Sequence, residues 1–530
     1  MTGSFEARFV RRLLGAAAFA AAALPLTADI AAAAPFKCPT QSPRLVYAQA
    51  AQAPGFDQHF SSAVSTRNVA MLFFETLITR DENNAIIPEL AQEFSESPDG
   101  LTYTFKLRPG IKFHNGQPLT AADAVASIER YKRVGGNRST LDRMTSVTAP
   151  DPLTVVLTLS QRVPTFLEDF SAFATPVVIL PASERDKEAN KIAFIGTGPF
   201  KFVEWVPDSH VTLERYADYQ PDTRYETATG FGGYKQVCFD RVSIRIVKED
   251  GARVAGLEAG EYHGIEELPT KAAQRLQGHP KIDVIRQDNF GIPIAVPNLK
   301  KPPTDNLLIR KAIQAALDMK AIMEVATDGA YSLQPGFQYP GTPFYTDAGK
   351  QYYNQANPAL AKKYLAEAGY KGEELIVMTN NDYSYMYNAA MMMSAQLRAV
   401  GFKTRLEVTD WPTTRTIRAN QPDKWSFYFT GWGTGPALGP RSAVSDMMFP
   451  FNMANLPAED PVMNKHWADM ANLPSEAGRK EAFARLQEHL YAEAYQFKFG
   501  DMHRYQANLK TMKGFVPYRI PRLWNVWLER

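Results

Sequence analysis

The stretch LTYTFKL, residues 101–107, puts Leu101, Tyr103, Phe105 and Leu107 at every second position with polar residues between them. Successive side chains of a strand point to opposite faces, so this alternation predicts a strand with one buried side. Arg108-Pro109-Gly110 then turns the chain. Thr120 reads as a helix N-cap with Asp123 as the acidic half of a capping box, and Ala121, Val125, Ile128 and Tyr131 share one helical face. Further strands are predicted at LTVVLTL (153–159), RVSIRIV (241–247), LIVMT (375–379), KTRLEV (403–408) and WSFYFT (425–430). A helix over 305–318 carries Ile309, Ala312, Ile313, Ala316 and Leu317 on one stripe. Another opens at Asn357-Pro358, a cap followed by an N1 proline, and stops at Gly369, with Ala361, Tyr364, Leu365 and Ala368 inward. A Met-rich helix follows over 386–400, and a last helix over 476–491. Strands and helices mix throughout, which predicts an α/β or α+β class with mixed sheets.

Length changes this picture first. A chain of 530 residues exceeds one simple core, so two or three domains are expected. Arg8, Arg11 and Arg12 form a basic n-region, and Leu13–Leu26 an apolar h-region too short to span a bilayer. Small residues at Ala31 and Ala33 suit signal peptidase, which predicts a cut near Ala33 or Ala34 and export by the general secretory route. Phe36-Lys37 precede Cys38 where a lipobox needs small residues, so no lipid anchor is expected. Cleavage removes three arginines together with Glu6 and Asp29, leaving 55 basic and 54 acidic residues of the original 58 and 56. With no basic block, nucleic-acid binding has no support.

Cys38 and Cys238 remain in the exported chain. Each flanks a predicted strand, LVYAQA (45–50) and RVSIRIV. If those strands are sheet neighbours in an oxidising compartment the pair closes as a disulfide; two buried thiols are the alternative.

Catalytic constellations are missing from the sequence. None of the eight histidines is four residues from another, and there is no Cys-x-x-Cys, so no metal and no cofactor is expected. Gly-x-Ser-x-Gly and the P-loop are absent. The run Gly431-x-Gly433-x-Gly435 follows a strand, but Pro436 and Pro440 fall where a dinucleotide fingerprint needs a helix. What remains of GWGTGPALGPR (431–441) is a bare aromatic among glycines. Glycine lets backbone approach a ligand closely and an aromatic offers a flat wall, so Trp432 and Gly433 read as cleft residues.

Several stretches together resemble the family 5 extracellular solute-binding proteins, the receptors of peptide, nickel and opine ABC importers. They are DGLTYTFKLRPGIKFHNGQPLTAADAVASIERY (99–131), IGTGPFKFVEW (195–205), PPTDNLLIRKAIQAALDMKAI (302–322), NPALAKKYLAEAGY (357–370) and FTGWGTG (429–435). The resemblance implies a two-lobed periplasmic binding protein fold with mixed sheets. Lobe I would comprise 35–80, an inserted subdomain 81–184, 185–290 and a C-terminal return 500–530, and lobe II would span 291–499. Two strand crossings, NFGIPIAVPN and QFKFGDMHRY, would form the hinge. A monomeric receptor, a small organic solute and a membrane permease are implied as partners, with no catalysis.

The resemblance also implies site residues. Peptide-binding relatives carry an acid three positions after the cleft tryptophan, and here that position is Gly435. The departure favours an anionic or zwitterionic, opine-like solute held by Arg441 or Arg415, since guanidinium binds carboxylates bidentately. Tyr383 in NNDYSY and Trp411 in TDWP stand at strand ends, and Phe56 and His59 in the loop after the first strand, where lobe I would face the cleft. The alternatives are an oligopeptide receptor using another acid, such as Asp410 or Asp446, and a secreted hydrolase.

Overall fold

The computed structural model describes residues 35–434 and 460–529. Strand Ser42–Gln49 runs parallel to Phe239–Ile246, with Tyr47 opposite Ile244. The two predicted strands are thus direct neighbours, and Cys38 and Cys238 at their entrances are joined in a disulfide. The same sheet continues through His210–Arg215 and Phe200–Val206 on one side and through Gly264–Ile265 and Asp501–Leu509 on the other. Both parallel and antiparallel pairings occur, as the mixed pattern predicted.

The alternating stretch forms strand Thr102–Leu107 in a separate four-stranded antiparallel sheet with Ala91–Glu96, Met144–Asp151 and Thr154–Leu159. Helix Ala121–Val134 belongs to the same core, where Phe105, Ala124, Ile128 and Tyr131 are all buried. Its start is capped as the sequence implied: the Thr120 backbone N–H donates to Asp123 Oδ2 at 2.9 Å.

Strand Ile282–Pro297 joins the two large parts of the molecule. Its first half pairs with Asp501–Leu509, and from Ile292 onward it pairs with Phe427–Trp432. The register shift falls between Gln287 and Gly291. Beyond it lies a second core built from Ile292–Val296, the helices around 309–326 and 384–399, and strands Glu374–Asn380 and Lys403–Thr409. WSFYFT is the central strand of this region, parallel to Glu374–Asn380 and fully buried.

The helix predicted over 305–318 spans Leu307–Ala316, and a second helix, Met319–Thr327, follows it directly. Leu307–Ala316 is capped by Asn306, and Met319–Thr327 by Asp318, whose side chain accepts from Ala321 N. A capping side chain needs extended backbone at its own position, so Asp318 ends one helix where it begins the next. The helix Pro358–Glu367 lies at the periphery: Ala361 is buried, but Tyr364 and Leu365 only partly so.

Candidate functional site

Strand Phe427–Trp432 ends at a cavity of about 120 Å³. One wall comes from residues 60–67, 136–137 and 169–175 and from Glu267. The other comes from 383–386, 411–415 and 430–433, and Phe290 of the crossing strand lies between. The cavity therefore sits between the two cores and is lined by both.

The opening glycine of the loop has a steric reason. An added Cβ at Gly431 would run into the Tyr385 hydroxyl, so only a glycine lets that phenol lie over the strand end. Trp432 is 8% exposed and lines the cavity together with Gly433. Trp411 meets Tyr383 edge-on, with centroids 5.7 Å apart at 88°, an arrangement in which the positive ring edge faces the negative face. Asp382 accepts the Trp411 backbone N–H at 2.6 Å, which fixes the first turn of helix Trp411–Asn420 against the strand end. Arg415, one turn along that helix, carries its guanidinium 5.7 Å from the Trp411 ring. The structure thus brings Trp432, Gly433, Tyr383, Trp411 and Arg415 to one cavity.

Phe56 and His59 depart from the sequence reading. Phe56 is core, packed on Phe194 and Trp205 at centroid distances of 5.4 and 5.0 Å. His59 is fully buried; its Nε2 bonds the Val178 carbonyl at 2.7 Å while Arg130 donates to Nδ1 at 3.0 Å. Burial pushes its pKa down to about 4, so the ring is a neutral structural link next to the buried Arg130–Asp57 ion pair. Neither residue lines the cavity, because segments distant in sequence close over this loop. Gly435 and Arg441 lie outside the described residues, as does Asp446. Asp410 is engaged as a helix cap, with Oδ1 accepting from Thr413 N and Oδ2 from Thr413 Oγ1, each at 2.9 Å.

Three polar groups that the sequence did not single out line the cavity. Arg67, from helix Val64–Ala70, is only 6% exposed, yet its guanidinium forms no ion pair or hydrogen bond with a described residue. Its guanidinium lies 5.0 Å from the Phe173 ring. Burial, then the neighbouring Arg519 and Arg504, pull its pKa down to about 10, which leaves it charged at neutral pH. Glu267 lies 3.6 Å from Arg504, and burial pushes its carboxyl up to about 7. Asp169 accepts from Thr165 Oγ1 at 2.9 Å. Trp411 adds an orphan donor, since its buried Nε1–H has no hydrogen-bond partner among the described residues. An isolated arginine in SSAVSTRNVA carries no pattern that separates it from a surface one, so only the fold reveals it.

Apolar and aromatic walls with a few converging polar groups are the usual lining of a small-molecule cavity. Known proteins show the same architecture. The chain is 26% identical over 497 residues to a probable peptide ABC transporter periplasmic-binding protein, y4tO, of Sinorhizobium fredii, covering 89% of this chain and 91% of that one. It is 26% identical over 465 residues to the glutathione-binding protein GsiB of Pectobacterium atrosepticum, covering 85% and 87%. The fold superposes on the A. tumefaciens R10 protein AgaA, solved with agropinic acid, with a TM-score of 0.80 at 24% identity, over 92% of this chain and 99% of that one. The family model for bacterial extracellular solute-binding proteins, family 5, matches residues 85–452, and the chain belongs to that family.

Proposed function

We propose that this protein is the exported, periplasmic receptor of an ABC importer, and that it captures an anionic or zwitterionic solute of amino-acid, peptide or opine type. The observation that carries the reading is Arg67, a buried guanidinium without a carboxylate partner among the described residues, in an aromatic-walled cavity between two cores. Leaving a buried charge unpaired costs several kcal/mol, and a bound anion removes that cost. The orphan Nε1–H of Trp411 calls for an acceptor as well. Relatives named for peptides and glutathione, and a fold neighbour solved with agropinic acid, point to the same solute class.

In this reading residues 35–290 and 500–530 form one lobe, with 81–184 as its insertion, and 291–499 form the other. Solute contacts to both walls favour a closed state that a permease recognises, and the protein acts as a monomer without catalysis. Glu267 supports an oligopeptide variant of the same reading, because it supplies a carboxylate for a free amino group where Gly435 does not.

Native mass spectrometry of the mature protein, with release and identification of bound small molecules, tests the proposal. A stoichiometric solute bearing at least one acidic group is expected. A neutral or purely cationic solute would overturn it.

A further inference from the structure

A smaller cavity of about 30 Å³ opens beside the main one and shares Arg67, Phe290, Tyr385 and Trp432 with it. Its further walls include Phe173, Met502 and Arg519. The volume suits one small group, not a whole amino acid; a cavity of about 10–15 Å³ is already enough for one water. Two guanidiniums line it. The Arg67 guanidinium forms no ion pair or hydrogen bond with a described residue, and Arg519, from the C-terminal segment, forms no ion pair with one. The bonds of Arg519 are to the carbonyls of Phe290 and Thr434, each at 3.4 Å, the long limit of a hydrogen bond. The neighbouring Glu266 and Glu267 both face another arginine, Arg504. Glu266 accepts from Asn68 and faces Arg504 at 3.4 Å, and Glu267 faces Arg504 at 3.6 Å. Two like charges in an apolar recess repel each other, and neither guanidinium forms an ion pair with a described residue.

We propose that Arg67 and Arg519 form a two-guanidinium recess, off the main cavity and against the crossing strand, that takes a carboxylate group of the solute. This rests on the reading of the cavity as the solute site and deepens it by placing the acidic end. The remainder of the solute extends along Trp432 and Tyr385 toward Trp411 and Arg415. A carboxylate seated here meets Arg67 of one wall and Arg519 of the C-terminal segment, beside Phe290 of the crossing strand and Trp432 of the other wall. Arg519 is therefore a specificity-determining residue that local sequence places far from the cleft. Amides and esters lack the charge that offsets both guanidiniums, so the recess rejects them.

The probe is malonate, titrated into solute-free mature protein at constant ionic strength against chloride, with the thermal midpoint as readout. Wild type shows a saturable, malonate-specific rise. Arg519→Gln lowers the apparent affinity by about 10- to 100-fold, as does Arg67→Gln, while Arg519→Lys retains part of it. Arg519 is half-exposed and lacks an ion pair, so its variant remains informative where Arg67→Gln folds poorly. No malonate-specific rise in wild type, or an undiminished rise in Arg519→Gln, overturns the recess. Native mass spectrometry separates the two readings. An acidic solute whose affinity is unchanged in Arg519→Gln sinks the recess alone, whereas a captured neutral solute sinks the solute class with it.

Discussion

Lys248 Nζ lies 3.8 Å from Asp382 Oδ1, joining the end of the first sheet to the wall that holds Trp411. The same ammonium is 2.9 Å from Asp208. Burial works against the charged lysine, but Asp208 and Asp382 outweigh it and hold its pKa above the ordinary value. A pair that links these two segments stabilises only the arrangement in which they are near. Because Lys248 is 36% exposed, the contribution is expected to be small, about 1 kcal/mol or less. Lys248→Ala should weaken solute binding by up to about five-fold, shift small-angle scattering toward a more open envelope, and reduce the salt dependence of affinity. An unchanged envelope and affinity would show that the pair does not couple the two segments.

Trp411→Phe keeps the ring wall and removes the orphan Nε1–H. In the proposed reading this donor serves the solute, and so contributes to affinity and not to folding. The substitution should lower affinity by about five- to thirty-fold and leave the thermal midpoint of the empty protein unchanged or higher. Calorimetric titration and scanning calorimetry read the two effects separately.

Gly431→Ala brings a methyl group into the Tyr385 hydroxyl. Either the phenol swings into the cavity or the strand end shifts. Overpacking of this kind costs about 1–3 kcal/mol, and affinity should fall at least ten-fold as the cavity narrows. Pairing Gly431→Ala with Tyr385→Phe should recover part of both losses. Lack of recovery would locate the cost elsewhere.

The Glu267 carboxyl is pushed up to about 7 by burial, above its value in an unfolded chain. A carboxyl with a raised folded pKa holds its proton longer in the native state. Its ionisation therefore costs stability as pH rises from the unfolded value through about 7. A solute ammonium placed against Glu267 reverses the sign for binding: affinity rises as pH rises through this window and protons are released. Titrations in buffers of different ionisation heat measure that release. Glu267→Gln should flatten the pH profile between about 5 and 8, and a flat profile in wild type would remove the ammonium from this position.

The disulfide Cys38–Cys238 closes a loop with a sequence separation of 200. Restricting so long a loop in the unfolded chain predicts a loss of about 2–5 kcal/mol in Cys38→Ser with Cys238→Ser. Solute affinity should be unchanged, since the bond lies at the entrances of Ser42–Gln49 and Phe239–Ile246 and not at the cavity. Chemical denaturation and calorimetric titration check the two halves.

Much of the local architecture could be read directly from residue order. Alternation marked Thr102–Leu107, the Thr120–Asp123 cap marked the start of Ala121–Val134, and the stripe Ile309, Ala312, Ile313 marked a buried helix face. These depend on neighbours within a few residues, so their physics is written locally. Trp432, Tyr383 and Trp411 were legible as well, because strand ends and glycine-rich turns advertise a place where a sheet opens onto a cavity. The placements of Phe56, His59, Arg67, Glu267 and Arg519 were not. Whether an aromatic becomes core or wall, and whether an arginine finds a carboxylate, depends on which distant segments arrive beside it. Phe194 and Trp205 cover Phe56, Val178 and Arg130 hold His59, and Phe173 flanks Arg67 while supplying no counter-charge. Burial and charge balance are sums over space, and only the folded chain performs them.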